Sequence, residues 1–291
     1  MHKCNKSIDQ QPLVTIAIPI YNAECYLRDA IQSCINQTYK NWELLLFCDG
    51  SNDRSNDIAR EIAKKDTRIC VIDDGENKGL IYRLNQSIAL ARGYYYARMD
   101  ADDIMYITRI EEQVNFLETH ANIDVVGTSI MSIDSHNNIV GSGFYNGEVG
   151  SLVHPSAMGR TSWFQKNPYS TWALRAEDME LWLRTSKTSK FYAIGKPLLF
   201  YREFGVPTFT KYYATQKTLI KIYANYKEYD KTLVWCLRNS VMSIGKIIFS
   251  ALLALIGKTD IIISCRRRRA IPEGMCLTKE DLTNSINCVH E

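Results

Sequence analysis

No CxxC pair, no Walker A loop and no GxGxxG turn after a strand occurs in these 291 residues. The two missing glycine-rich loops exclude the phosphate cradles of P-loop and dinucleotide-binding folds. The nine cysteines are odd in number, and several sit in apolar runs where a thiol simply packs. They read as reduced thiols in a cytosolic setting. Met1 to Gln11 is polar and contains no apolar h-region, which argues against a secretory signal. Seven prolines and 15 glycines are too few, and 46% hydrophobic residues too many, for a collagen-like, low-complexity or disordered chain. No internal repeat is present. What remains is a globular protein long enough for a substantial core.

The formal net charge of +3 hides a split. Residues 211–291 hold 13 Lys and Arg against 7 Asp and Glu, and the rest of the chain 22 against 25. A mildly acidic body with a basic tail suggests separate jobs for the two. The expected division is an N-terminal tail over 1–12, an α/β domain over 13–210, membrane-associating helices over 211–265 and a basic, polar tail over 266–291.

Val14–Ile20 is a short apolar, β-rich run closed by the Tyr21-Asn22 turn, and it reads as a buried strand. Strands are also expected at 42–48, 68–72 and 94–99, separated by helices near 23–36, 54–65 and 79–92. This alternation predicts a mostly parallel sheet flanked by helices, in which ligands bind beyond the carboxyl ends of the strands. Pro19 to Tyr21, Asp49-Gly50 and the Asp100 cluster all fall at such ends. Farther on, helices are expected at 107–119 and 177–186, and strands at 123–133, 138–145, 191–194 and 198–201.

Asp100, Asp102 and Asp103 crowd three carboxylates into four residues directly after a strand. Mg²⁺ or Mn²⁺ bridging carboxylate and substrate phosphates would relieve their repulsion; an acidic turn or helix N-terminus fits the same residues. Asp49 is either a turn cap or an acceptor for a nucleobase N–H. Tyr21 is either a base-stacking ring or a cover for the sheet edge. Glu177-Asp178 opens an amphipathic helix containing Trp182 and Arg184, where Asp178 either complements the helix dipole or acts as a general base. His154 is a packed residue or a ligand near a metal–diphosphate.

In this order the motifs resemble those of the family-2 glycosyltransferases. The residues that carry the likeness are Val14 to Glu24, Cys48-Asp-Gly-Ser-Asn-Asp53, Asn77-Lys-Gly79, Arg98-Met-Asp-Ala-Asp-Asp-Ile104, His154-Pro-Ser156, Ala176 to Arg184 and Pro197 to Arg202. The resemblance spans about 13–203 and implies a GT-A fold, a Rossmann-like, mostly parallel sheet with flanking helices. It also implies a nucleoside-diphosphate-sugar donor, a divalent metal and inversion. By match, Pro19, Tyr21 and Asp49 fall on the nucleoside pocket, Asp100 and Asp102 on the metal–diphosphate site and Asp178 on the catalytic base. Glu177, His154 and Asp103 are further donor- or acceptor-side candidates. Cys48 replaces the first of two usual acids, the glycines common before Glu-Asp are absent, and no Gln-x-x-Arg-Trp follows Asp178, which disfavours a processive enzyme.

The expected function is therefore non-processive sugar transfer to a glycan acceptor, with no nucleic acid partner, in bacterial surface polysaccharide assembly, with the nucleotide UDP and the acceptor on a polyprenyl diphosphate. The rival is an inactive nucleotide-sugar-binding partner. A nucleotidyltransferase would need a glycine-rich basic loop where Tyr21 to Glu24 stands.

Residues 233–257 are too apolar for an ordinary surface helix, with one narrow polar stripe at Asn239, Ser243, Lys246 and Ser250. Arg238 and Lys246 disfavour a full span and favour an in-plane amphipathic helix, although a buried core helix fits the same periodicity. Arg266–Arg269 suits an anionic leaflet better than nucleic acid. Location on the cytoplasmic face of the plasma membrane is the expectation.

Overall fold

The computed structural model describes residues 11–203, 209–257, 270–272 and 274–287. Arg266–Arg269, Ile261–Ile263, Cys4, Cys265 and Cys288 lie outside them. The six described cysteines are all free thiols.

Two compact units make up the chain, and they interleave rather than follow one another. The first comprises 1–168, 190–202 and 269–291, and the second 169–189 and 203–268.

The first unit is built on a ten-stranded mixed sheet in the order β3-β2-β1-β4-β9-β6-β10-β5, with β7 on β6 and β8 on β10. Its strands are β1 (Val14–Ile20), β2 (Trp42–Cys48), β3 (Ile69–Asp73), β4 (Tyr95–Arg98), β5 (Ile104–Met105), β6 (Val125–Ile133), β7 (Ile139–Gly143), β8 (Gly147–Val149), β9 (Met158–Arg160) and β10 (Phe191–Arg202). The helices are α1 (Leu27–Ile35), α2 (Ser55–Ala63), α3 (Leu80–Leu90), α4 (Arg109–Thr119), α5 (Thr161–Lys166) and, near the C-terminus, α9 (Lys279–Ile286).

β1 to β4 are mutually parallel where they pair, as are β6 and β10. All seven residues of β2 and six of the seven in β1 are buried, the continuous apolar run of a strand covered on both faces. Helix α1 turns Leu27, Ala30, Ile31 and Cys34 inward, the 3.6-residue periodicity its sequence carries. Pro19 is tolerated inside β1 because β4 stops pairing at Ala17, so its missing N–H falls beyond that neighbour.

Short β9 enters antiparallel between β4 and β6 and makes the sheet mixed. The strands expected at 191–194 and 198–201 are one strand, β10. Its register slips on either side of Pro197, which cannot donate to the ladder. Residues 270–287, expected as a polar tail, contain α9 and its capping box between Thr278 and Asp281. Ile271, Leu277 and Leu282 pack with Ile104, Met131, Ile133 and Phe200.

The second unit holds α6 (Glu177–Thr185), α7 (Phe209–Ala224) and α8 (Leu233–Leu255). Its core joins Ala176, Ile222, Tyr223 and Tyr229, with Trp172, Met179, Leu183, Leu219 and Trp235 against them.

Candidate active site

Parallel pairing brings the carboxyl ends of β1, β2 and β3 to one edge of the sheet, with Ile20, Cys48 and Asp73 in register. The loops beyond this edge brace each other. Asn22, in the left-handed region at φ 49°, accepts the Asn52 N–H at 2.8 Å and donates its own N–H to the Ser51 hydroxyl at 3.1 Å. The Ala23 N–H donates to Ser55 Oγ and the Glu24 N–H to Asp53. The Ser51, Asp53 and Ser55 side chains therefore hold the turn that carries Tyr21. The Tyr21 ring is 52% exposed and available for stacking.

Asp49 is buried, and its carboxylate is the hub of the β2–α3 junction. Its Oδ1 accepts the Lys78 N–H at 2.8 Å and the Arg83 Nε–H at 2.9 Å, while Oδ2 accepts the Gly79 N–H at 3.1 Å. Oδ2 keeps a lone pair for one further donor. Arg83 is fully buried on α3 and pairs with both Asp49 and Asp74, at 2.9 and 2.6 Å. Arg83, first among its partners, holds the Asp74 carboxyl well below the usual range.

Gly50 is required by close approach. Its φ is +65°, and a Cβ there would stand 2.8 Å from the Asn77 nitrogen. Gly50→Ala should cost about 1–3 kcal/mol, read by urea denaturation. Arg83→Met strands the buried Asp49 charge and should cost about 3–5 kcal/mol in the same assay; a loss below about 1 kcal/mol would show that Asp49 is not held as a charge.

At the end of β4, Arg98 donates to Asp100 at 2.6 Å. Oxygens of Asp100, Asp102 and Asp103 lie within 4.8 Å of one another. Burial first, then the Asp100 charge, pushes Asp102 up to about 6. Asp103 is 1% exposed and raised well above the usual range, again by burial first and then by its acidic neighbours. Asp103 Oδ1 accepts the Arg202 N–H, but Oδ2 has no hydrogen-bond partner. An orphaned buried oxygen beside two further carboxylates fits a cation. This donor set suits a hard divalent ion.

Two groups the sequence reading passed over support the cluster. Arg202 donates through Nε to the Asp102 carbonyl at 2.7 Å and through its two terminal nitrogens to the Asp134 carbonyl and Asn137, with its guanidinium 4.3 Å from the Tyr26 ring centre. Arg109, fully buried, donates to the Arg98 carbonyl; burial lowers it to about 10. His154 opens a buried 3₁₀ turn, His154–Ser156. Burial, then the Arg98 charge, drives its pKa well down, which leaves a neutral imidazole.

In the second unit Asp178 stands in the first turn of α6. It is half-buried, and its Oδ1 accepts the Met179 N–H at 2.7 Å. Glu177 and Glu180 are buried beside it in sequence, Glu180 is paired with Arg184 at 2.8 Å, and Trp182 anchors the helix at 1% exposure. Arg175, just before α6, is left-handed at φ 67°, a conformation that a glycine takes without strain.

The sequence profile described as "Glycosyl transferase family 2" matches residues 15–176. The chain belongs to glycosyltransferase family 2. An uncharacterized glycosyltransferase of Haemophilus influenzae is 31% identical over 230 residues, covering 72% of this chain and 71% of that one. S. aureus TarS, residues 1–349 in complex with UDP-GlcNAc, superposes with a TM-score of 0.62 at 14% identity, over 79% of this chain and 71% of that chain. Mannosyltransferase PcManGT from Pyrobaculum calidifontis, in complex with GDP-Man and Mn²⁺, gives a TM-score of 0.59 at 14% identity over 97% and 88%. This family-2 glycosyltransferase therefore has the GT-A fold, and its acidic Asp100-Ala-Asp102-Asp103 group occupies the end of a GT-A strand.

Proposed function

We propose that this glycosyltransferase moves a sugar from a nucleoside-diphosphate-sugar, with UDP as the nucleotide, to a glycan acceptor on a polyprenyl diphosphate. Transfer is inverting and non-processive and serves bacterial surface polysaccharide assembly (O-antigen, capsule or exopolysaccharide). The observation that carries the reading is the shared sheet edge bearing exposed Tyr21, buried Asp49 and an acidic group with an orphaned oxygen. UDP-GlcNAc and GDP-Man with Mn²⁺ in the two GT-A relatives support this donor class.

Tyr21 stacks on the base, Pro19 shapes the turn beneath it, and Asp49 Oδ2 accepts a base N–H. Asp100 and Asp102 hold Mg²⁺ or Mn²⁺, which supplies charge neutralisation of the departing diphosphate. Asp103 accepts the Arg202 N–H through Oδ1 and keeps Oδ2 beside the other two carboxylates on the donor side. Neutral His154 is suited to hydrogen-bond on the diphosphate side.

Asp178 takes the proton from the acceptor hydroxyl as that oxygen bonds to the anomeric carbon and the bond from that carbon to the diphosphate breaks. An α-linked donor gives a β-linked product. Glu177, buried one residue earlier, sets the helix start. The enzyme works from the cytoplasmic side, peripheral on the plasma membrane, with no nucleic acid partner.

Product analysis over a panel of UDP-, GDP- and dTDP-sugars with a lipid-diphosphate monosaccharide tests the reading. One donor should be consumed, with β-linkage, and EDTA should stop the reaction. Donor binding with neither transfer nor hydrolysis for any donor would support the rival reading, an inactive nucleotide-sugar-binding partner.

A further inference from the structure

A soluble helix buries its apolar stripe and shows its polar residues to water; α8 does the reverse. Its buried positions are Cys236, Ser243, Ser250 and Leu253, the first three at seven-residue intervals and so on one face. The polar stripe read from the sequence thus turns partly inward. Tyr223 of α7 packs with Trp235 of α8, their rings meeting edge-on at 5.1 Å. The opposite face presents Val234, Leu237, Val241, Ile248, Leu252 and Leu255, each between 56% and 83% exposed.

Small residues between helices and large apolar ones outside is the arrangement of helices in lipid. The helix is long and apolar enough to cross a bilayer, and only 17% of its most apolar window is buried, which a core helix would not show. Charge selects the occupant of this face. Residues 209–257 carry seven Lys and Arg against two acidic residues, and Lys211, Lys217, Lys221, Lys227, Arg238 and Lys246 are exposed. A second copy would oppose like charges, whereas an anionic headgroup layer attracts them at about 1 kcal/mol each.

The chain path then decides between spanning and lying flat. After α8 the chain returns to the sheet unit. The Ile271 N–H donates to Ser142 Oγ at 3.4 Å, and Asn36 Nδ2 donates to the carbonyls of Ser285, Ile286 and Asn287 at 3.1 to 3.2 Å. If α8 crossed the bilayer, residues 258–269 would have to cross back. They include Lys258, Asp260 and four consecutive arginines. Twelve residues as a helix cover about 18 Å, against about 30 Å of hydrocarbon, and an extended crossing leaves unpaired backbone in lipid.

We propose that α8 is a monotopic anchor lying in one leaflet of an anionic bilayer, its Val234–Leu255 face in the acyl region and its ends on the same side as the sheet. This deepens the membrane placement proposed above and rests on it, not on the donor or the reaction.

Flotation of the full chain with phosphatidylcholine vesicles, with and without phosphatidylglycerol, tests attachment. Binding should need phosphatidylglycerol, fall with salt, and drop by about tenfold or more in the double variant Val241→Glu, Ile248→Glu. Donor hydrolysis by that variant should match the parent, which also shows that it folds; Val241→Ser, Ile248→Ser is the milder second variant. Wild-type chain that fails to float and elutes as a dimer, with both variants monomeric, would overturn the proposal. Topology is read by fusing alkaline phosphatase or a green fluorescent protein after Glu291 in bacterial cells. Fluorescence without phosphatase activity is expected, and an active phosphatase would establish a span and overturn the flat placement. If no donor is ever turned over while flotation and topology hold, the transfer reading fails and the anchor stands.

Discussion

Asp178→Asn is expected to lower sugar transfer by about 10²- to 10⁴-fold, the contribution of a positioned general base, while donor affinity stays within about twofold of the parent. The amide keeps the volume of the carboxylate and its Oδ1 still accepts the Met179 N–H, so the first turn of α6 remains intact. What it loses is the ability to take a proton. The residues proposed for the donor, Tyr21, Asp49, Asp100 and Asp102, are carried by loops after β1, β2 and β4, so binding of the intact UDP-sugar should persist. Calorimetry of donor binding and rapid-quench measurement of transfer separate the two effects. Glu177→Gln serves as the neighbouring control, since Glu177 is a buried carboxylate one residue earlier in the same helix turn. Transfer by Asp178→Asn within tenfold of the parent would remove Asp178 from the base role.

The early sheet was legible because each strand is a continuous apolar run stopped by turn chemistry. Val14–Ile20 and Trp42–Cys48 are observed at the expected limits. Strands of two or three residues, β5, β8 and β9, have no periodicity to read. Their place is set by pairing with distant strands, and all three pair antiparallel, β5 and β8 with β10 and β9 with β4 and β6. Gly195 to Pro197 looked like a break and is a bulge in one strand. Helix α9 was hidden by polar composition, although Thr278 and Asp281 at capping-box spacing were visible.

At the site, aspartates at strand ends were legible because position in an α/β sheet carries meaning. Arg83 was not, since an arginine within an apolar helix reads as a solvated residue. Its burial follows from Asp49 and Asp74, which lie 34 and 9 residues away. Arg202 was missed as a support for the same reason: its partners come from the Asp102 carbonyl, the β6–β7 turn and Tyr26.

Asp102→Asn should raise the melting temperature of the metal-free protein at pH 7.5 and abolish its response to Mn²⁺. Burial, with Asp100 adding its charge, raises Asp102 to about 6 in the folded protein, against about 3.9 in an unfolded chain. A carboxyl raised on folding binds its proton more tightly in the native state. The penalty is therefore absent below about pH 4, grows between the two values and is complete above about 6. At pH 7.5 the ionised group costs about 2–3 kcal/mol, which the uncharged amide avoids, so the variant should melt several degrees higher in EDTA. The gap should close as pH falls toward 4. With Mn²⁺ and donor present the order should reverse, because the parent gains binding energy that the variant cannot, and transfer should fall by about a hundredfold or more. A merely structural aspartate would give the opposite sign in EDTA: its replacement would destabilise the protein. Lower melting of Asp102→Asn in EDTA at pH 7.5, with an undiminished Mn²⁺ response, would place the cation elsewhere.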